Sequence, residues 1–236
     1  MSEVILIEPV VTRLTLGAGD VAVSDIALGG VPRGAVVLLA EPGELTRSVP
    51  DLANRFAAHG FDSASAEVPI DADDDTVTAL VGGLIDHLRA RGWRIDQTGV
   101  VGFGTAARAA YLAAATFPIG AAVSAAVKDT SGARTHDLGP VSVHAPWLGM
   151  FPVADPRVDG DAIRTFGDEV YRLSPVHTEV VGYQGVAESF YRDSRDPVEH
   201  AASFDCWQRT LEWLNLRLVP RPSPLAEAWE MRHAAA

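Results

Sequence analysis

Val36-Val37-Leu38-Leu39-Ala40 is an unbroken apolar run that stops at a polar turn, Glu41-Pro42-Gly43-Glu44, and is followed by a helical pattern. A strand that is apolar at every position has to be covered on both faces, which points to a parallel sheet flanked by helices. The helix after it begins at Ser48, a capping residue type, has Pro50 in its first turn, and places Leu52, Ala53, Phe56 and Ala57 on one side. Gly60 stands where a left-handed terminator belongs. The same order then recurs. Ser63 to Val68 leads into a helix with Val77, Leu80, Val81, Leu84, Ile85 and Leu88 at helical spacing, ended by Gly92. Thr98 to Phe103 precedes a helix over 105–117, Ala121 to Ala126 is a further strand, and Trp147 to Phe151 precedes a helix over 160–172. Thr178 to Tyr183 closes the series, and a last helix over 197–218 is predicted to bury Phe204, Trp207, Leu211, Leu214 and Leu218. Repetition of this kind specifies an α/β chain with a doubly wound, mostly parallel sheet. Ahead of it, the alternating runs Val10 to Leu16 and Val21 to Leu28, around Gly17-Ala18-Gly19-Asp20, predict an N-terminal antiparallel hairpin. One domain is expected over 1–219, with Pro220-Arg221-Pro222-Ser223-Pro224 opening a C-terminal tail over 220–236.

Charge and cysteine content narrow the function. Nineteen Lys and Arg against thirty-one Asp and Glu leave a net charge of −12 and a pI near 4.9, so nucleic acid and anionic membrane surfaces are not expected as partners. Cys206 is the single cysteine, which excludes a disulfide within the chain and fits a reducing cytoplasm. The opening Met1-Ser2-Glu3-Val4-Ile5-Leu6-Ile7-Glu8 has acidic flanks around a short apolar run, so no export is expected. The uncharged stretch Ala109 to Val127 is mostly Ala and is broken by Pro118 and Gly120, and reads as helix, turn and strand. Asp71, Asp73, Asp74 and Asp75 begin like a calcium loop, but Thr76 and Gly82 stand where its Gly and bidentate Glu belong. They suit a helix N-terminus instead, where carboxylates oppose the helix dipole. The seven His show no metal-ligand spacing, and neither metal nor cofactor is implied.

Gly99-Val100-Val101-Gly102-Phe103-Gly104-Thr105-Ala106-Ala107 runs from an apolar strand through a tight turn into a helix. Read as G-x-G-x-x-A through Gly102 and Gly104, it is a dinucleotide fingerprint, though it is not the first strand–helix unit and Ser124 occupies the region of the expected acidic residue. Read as a nucleophile elbow, it sits where an α/β-hydrolase carries G-x-(Ser or Cys)-x-G. Here the chain resembles the dienelactone hydrolase family (carboxymethylenebutenolidases), over roughly residues 20–218. Val36 to Leu45 is similar to the family's V-V-V-V-H-E-I-F-G-L, and Asp51 to Phe61 to its D-x-A-D-R-L-A-x-x-G-Y. Ala145 to Val158 resembles the segment carrying the triad Asp, with Asp155 in place, and Gly182 to Phe190 resembles the Y-x-G-A-x-H-x-F that carries the triad His. Asp205 to Leu211 resembles the closing A-W-x-R-T-L helix. An α/β-hydrolase fold is implied.

The same comparison exposes departures from the family pattern. Gly104 stands at the nucleophile position and Glu188 at the position of the base His, so neither a nucleophilic side chain nor an imidazole is supplied. The residue after Glu41, which in the family gives an oxyanion N–H, is Pro42, which has none. Losing one such donor costs about 2.7–4 kcal/mol, and the Thr105 N–H is the donor that remains. Arg192 matches a position that can hold a substrate carboxylate, so Glu41, Pro42, Thr105 and Arg192 are the expected binding residues. The resemblance thus implies a scaffold without the family's hydrolytic mechanism that binds a small carboxylate or lactone-like ligand or a partner, as a monomer or homodimer. Two further readings stay open at this level. One is an atypical ester or lactone hydrolase in which Asp155 and Glu188 activate water. The other is an NAD(P)-binding protein.

Overall fold

In the computed structural model, which describes residues 6–16, 19–125, 139–153, 159–186, 189–192 and 194–233, the apolar run is a strand buried at every position. The elements in chain order are β1 (Val10–Leu16), β2 (Gly19–Ile26), β3 (Gly34–Ala40), α1 (Val49–Ala58), β4 (Phe61–Glu67) and α2 (Asp74–Ala90). Then follow β5 (Thr98–Phe103), α3 (Ala107–Thr116), β6 (Ala121–Ala125), β7 (Trp147–Val153), α4 (Asp159–Leu173), β8 (Thr178–Gln184), α5 (Pro197–Arg217) and α6 (Pro224–His233). The strands form one sheet in the order β1-β2-β4-β3-β5-β6-β7-β8. From β4 to β8 every pairing is parallel, while β1 pairs with β2 and β2 with β4 antiparallel. This is the doubly wound sheet with an N-terminal hairpin that strand–helix alternation implies. Residues 17 and 18 of the hairpin connection, and Ala126, lie outside the described residues.

The alternation of side chains along β3 divides the core in two. Ala35, Val37 and Leu39 face a layer containing Leu80, Leu84, Ala110 and Phe166 of α2, α3 and α4. Val36, Leu38 and Ala40 face Val49, Ala53 and Phe56 of α1 and Trp207 and Leu214 of α5. Layers on both faces explain why the strand can be apolar throughout. The stretch Ala109 to Val127 resolves, as far as it is described, into α3, a turn and β6, and no helix among the described residues is long and apolar enough to cross a membrane.

Two local expectations are corrected. Phe204 is 61% exposed rather than buried. The face that α5 turns to the sheet runs through Cys206, Thr210 and Leu214, and Phe204, two residues before Cys206, points away from it. Ser48 does precede α1, but its hydroxyl donates to the Glu44 carboxylate (2.6 Å) and caps no backbone N–H. Within the C-terminal tail, Pro224–His233 form α6. By contrast, Asp73 accepts the Thr76 N–H (2.8 Å) and so caps α2, with Asp74 and Asp75 in the first turn. Gly60 and Gly92 take φ of +84° and +87° after α1 and α2, the left-handed conformation that terminates helices.

Candidate functional site

Open parallel sheets place their sites at the carboxyl ends of the strands, where loops converge and helix N-termini begin. Here Glu41 follows directly on β3, and Gly104 follows directly on the neighbouring β5 and starts a short turn of 3-10 helix, Gly104–Ala106, leading into α3. Gly104 has φ +59°, the conformation that a tight strand-to-helix turn demands and that glycine adopts at little cost. A Cβ built on Gly104 would lie 2.7 Å from both the Glu41 Cδ and the Tyr191 hydroxyl, with Glu41 Oε1 closer still. The place a nucleophile would occupy is therefore filled by a carboxylate.

That carboxylate is held from three directions. Glu41 Oε1 accepts the Thr105 backbone N–H (3.1 Å), and Oε2 accepts the Tyr191 hydroxyl (2.9 Å) and Arg192 Nη2 (2.6 Å). Arg192 Nε–H also donates to the Tyr191 oxygen (3.2 Å). Burial by itself opposes charge on Glu41, but the Thr105 N–H, the Tyr191 hydroxyl and the Arg192 guanidinium outweigh it and hold the carboxyl below its ordinary range. Burial pushes the Tyr191 phenol up to about 12, and the neighbouring Glu41 charge acts in the same direction. Bonding to Tyr191 first, and then to Glu41, raises the Arg192 guanidinium further. The group is thus an ionised carboxylate with a protonated phenol and a permanent cation.

The structure brings together Gly104, Glu41, Thr105 and Arg192. Pro42 is exposed and faces a separate hollow beside Leu45, Glu67 and Pro69. Asp155 and Glu188 lie outside the described residues. Tyr191, which sequence reasoning missed, completes the ring of donors, and its position next to Arg192 was the signal available. Gly102 has a packing reason of its own, since a Cβ there would strike the Ala106 carbonyl inside the turn. The α3 N-terminus, where a pyrophosphate would dock, already has Glu41 on its Thr105 N–H.

Beside this group a cavity of about 350 Å³ opens between α1 and α5. Val49, Leu52, Phe103 and Trp207 line its apolar walls, with Glu44 and Arg192 at the polar side. The Phe103 and Tyr191 rings stack at 5.4 Å, and the Arg55 guanidinium lies 4.0 Å above the Trp207 ring. Cys206 also borders the cavity but is almost wholly buried, and burial pushes its thiol up to about 12, so it is a packing residue rather than a nucleophile.

Residues 49–218 match the model of the dienelactone hydrolase family. The chain belongs to that family. Solved structures of the same fold include a Klebsiella pneumoniae protein assigned as a dienelactone hydrolase, with 19% identity, 87% of this chain and 98% of that one covered, and a TM-score of 0.71. A dienelactone hydrolase-like promiscuous phosphotriesterase from metagenomic libraries follows, with 17% identity, 90% and 100% covered, and a TM-score of 0.69. A thermophilic esterase of the planctomycete Thermogutta terrifontis with bound propionate shows 14% identity, 91% and 97% covered, and a TM-score of 0.67. No protein of curated function matches significantly. These likenesses establish the α/β-hydrolase fold. In this chain a tight strand-to-helix turn stands at Gly104, and Glu41 lies where a side chain on that residue would project.

Proposed function

We propose that this protein is a non-catalytic member of the dienelactone hydrolase family that binds a small molecule in the cavity beside a disabled hydrolytic centre. The observation that carries the reading is the Glu41 carboxylate lodged against Gly104 and bonded to the Thr105 N–H. Acyl transfer by the elbow route needs a nucleophile at 104 and donors for the developing oxyanion. Glycine offers no nucleophile, Pro42 has no N–H, and the Thr105 N–H is committed to an internal anion. Each missing donor costs about 2.7–4 kcal/mol of transition-state stabilisation. Glu41 is a poor substitute base, because three donors hold it below the ordinary carboxylate range. The open cavity supports retained binding, since pockets of this size accommodate small ligands.

Steady-state turnover of activated esters, a dienelactone and a phosphotriester by purified protein tests the reading, with Asp155→Asn and Glu188→Gln measured alongside. Rates at the buffer background for all three proteins are expected. Turnover by the wild type that disappears in either variant would overturn the proposal and establish water activation by those carboxylates.

A further inference from the structure

We infer that the free edge of β8 is the interface between two copies of this chain, joined antiparallel about a two-fold axis at Val181 into one continuous sheet. This surface shares no residue with the cavity between α1 and α5 and is independent of what that cavity binds.

β8 ends the sheet on one side and β1 on the other. The Trp147 N–H donates to the His177 carbonyl (3.2 Å) and the Gly185 N–H to the Val153 carbonyl (3.2 Å), so the odd-numbered residues of this stretch turn their backbone toward β7. Thr178, Val180, Gly182 and Gln184 therefore turn N–H and C=O outward, where no strand among the described residues meets them. A row of free backbone groups is a template for another strand, and proteins blunt it with charge, proline or a bulge. β8 contains no proline and pairs with β7 without a bulge. Its one charged side chain is Glu179, to which Arg209 of α5 donates (3.5 Å).

Paired with itself over its full length, β8 meets no conflict. Val180 forms a hydrogen-bonded pair with Gly182 of the second copy and Thr178 with its Gln184, which uses every outward group of the strand. Between these pairs Val181 lies opposite its own copy and Glu179 opposite Tyr183, so no like charges are opposed. Gly182, having no side chain, leaves room beside the second copy's Val180. A groove of about 450 Å³ between β8 and α4 extends the surface, with Ile163 and Tyr171 in its lining and both signs of charge, Arg164 and Asp168, at its border. Tyr171 is 62% exposed and offers a ring for a second copy to cover. β1 fails the same test. Its middle residue is the exposed Arg13, so pairing with itself would set guanidinium against guanidinium.

Light scattering of the full chain after size exclusion, across micromolar concentrations, tests the inference. The expected particle has twice the 25.0 kDa of one chain. Val181→Lys opposes two cations at the axis and should weaken the dimer about tenfold or more, while the variant keeps the wild-type far-ultraviolet spectrum. Val181→Cys should form an intermolecular disulfide under mild oxidation, because a non-hydrogen-bonded antiparallel pair brings its Cβ atoms to about 4.5 Å. Arg13→Cys on the opposite edge should not cross-link, and the buried Cys206 supplies no background. A particle of 25.0 kDa at every concentration, a dimer indifferent to Val181→Lys, or cross-linking at Arg13→Cys rather than at Val181→Cys would each overturn the inference. The first of these would leave the edge to a strand from a different protein.

Discussion

At position 104 the chain turns from strand into helix through a left-handed residue that has no side chain. The φ of +59° explains why glycine is comfortable there, and the contacts with Glu41 and Tyr191 explain why nothing larger is. Gly104→Ser should therefore lose about 1–3 kcal/mol in denaturant unfolding from the left-handed backbone alone, with further loss from displacing Glu41. It should gain no ester turnover, because Pro42 still supplies no oxyanion N–H. Glu41 also makes stability depend on pH in a defined direction. Its carboxyl titrates below the ordinary range when folded and within it when unfolded, so across that window the unfolded chain holds more protons. Stability present above the unfolded value is lost as pH falls through the folded one. Glu41→Gln should flatten the denaturation midpoint against pH below about pH 5 relative to wild type. Tyr191 acts at the other end. With its phenol pushed up to about 12, its contribution is complete below about pH 10 and declines as pH rises toward the folded value.

Among the elements, α5 owes its close seat on the sheet to Gly99 on β5 and to Gly120 just before β6. A Cβ on Gly99 would come within 2.6 Å of Leu214, and one on Gly120 within 2.6 Å of Leu218, the residue just past the end of α5. That proximity places Trp207 against Phe56, and Trp207 and Cys206 form the far wall of the cavity. Gly99→Val should cost about 1–3 kcal/mol by overpacking, read as a lowered thermal midpoint, and should distort the cavity as α5 lifts. The hairpin is tied to the sheet differently. Arg91, at the end of α2, bonds Asp25 of β2 (2.8 Å) and Asp62 of β4 (3.1 Å), while His87 bonds both oxygens of Asp25 (3.0 Å) and the Trp93 indole N–H donates to Asp62 (3.1 Å). Arg91→Met would leave two mostly buried carboxylates without their cation. A loss of about 2–4 kcal/mol in denaturant unfolding is expected, somewhat under the cost for a fully desolvated pair.

For the molecule as a whole, a net charge of −12 spread over one sheet and its helices sets up self-repulsion that salt screens. The thermal midpoint should rise on adding sodium chloride up to about 0.2 M, where the screening length falls below about 10 Å. A midpoint that falls instead would mean that ion pairs such as Arg91 with Asp25 and Asp62 outweigh the repulsion. At this scale too the site is a product of chain path, since Glu41 and Arg192 are 151 positions apart and meet only at the carboxyl edge of the sheet.

Much of this was legible in the residues alone. A strand apolar at every position, from Val36 to Ala40, can only be sandwiched, and repeated strand–helix spacing leaves little freedom but a doubly wound sheet. The absence of a nucleophile at Gly104 and of an N–H at Pro42 are equally local, because each follows from one residue's chemistry. Tertiary structure alone decided that Glu41 turns into the place over Gly104, that Tyr191 and Arg192 pin it there, and that Phe204 faces outward. Those outcomes depend on where distant segments cross and on which arc of a helix meets the sheet, and sequence spacing carries neither.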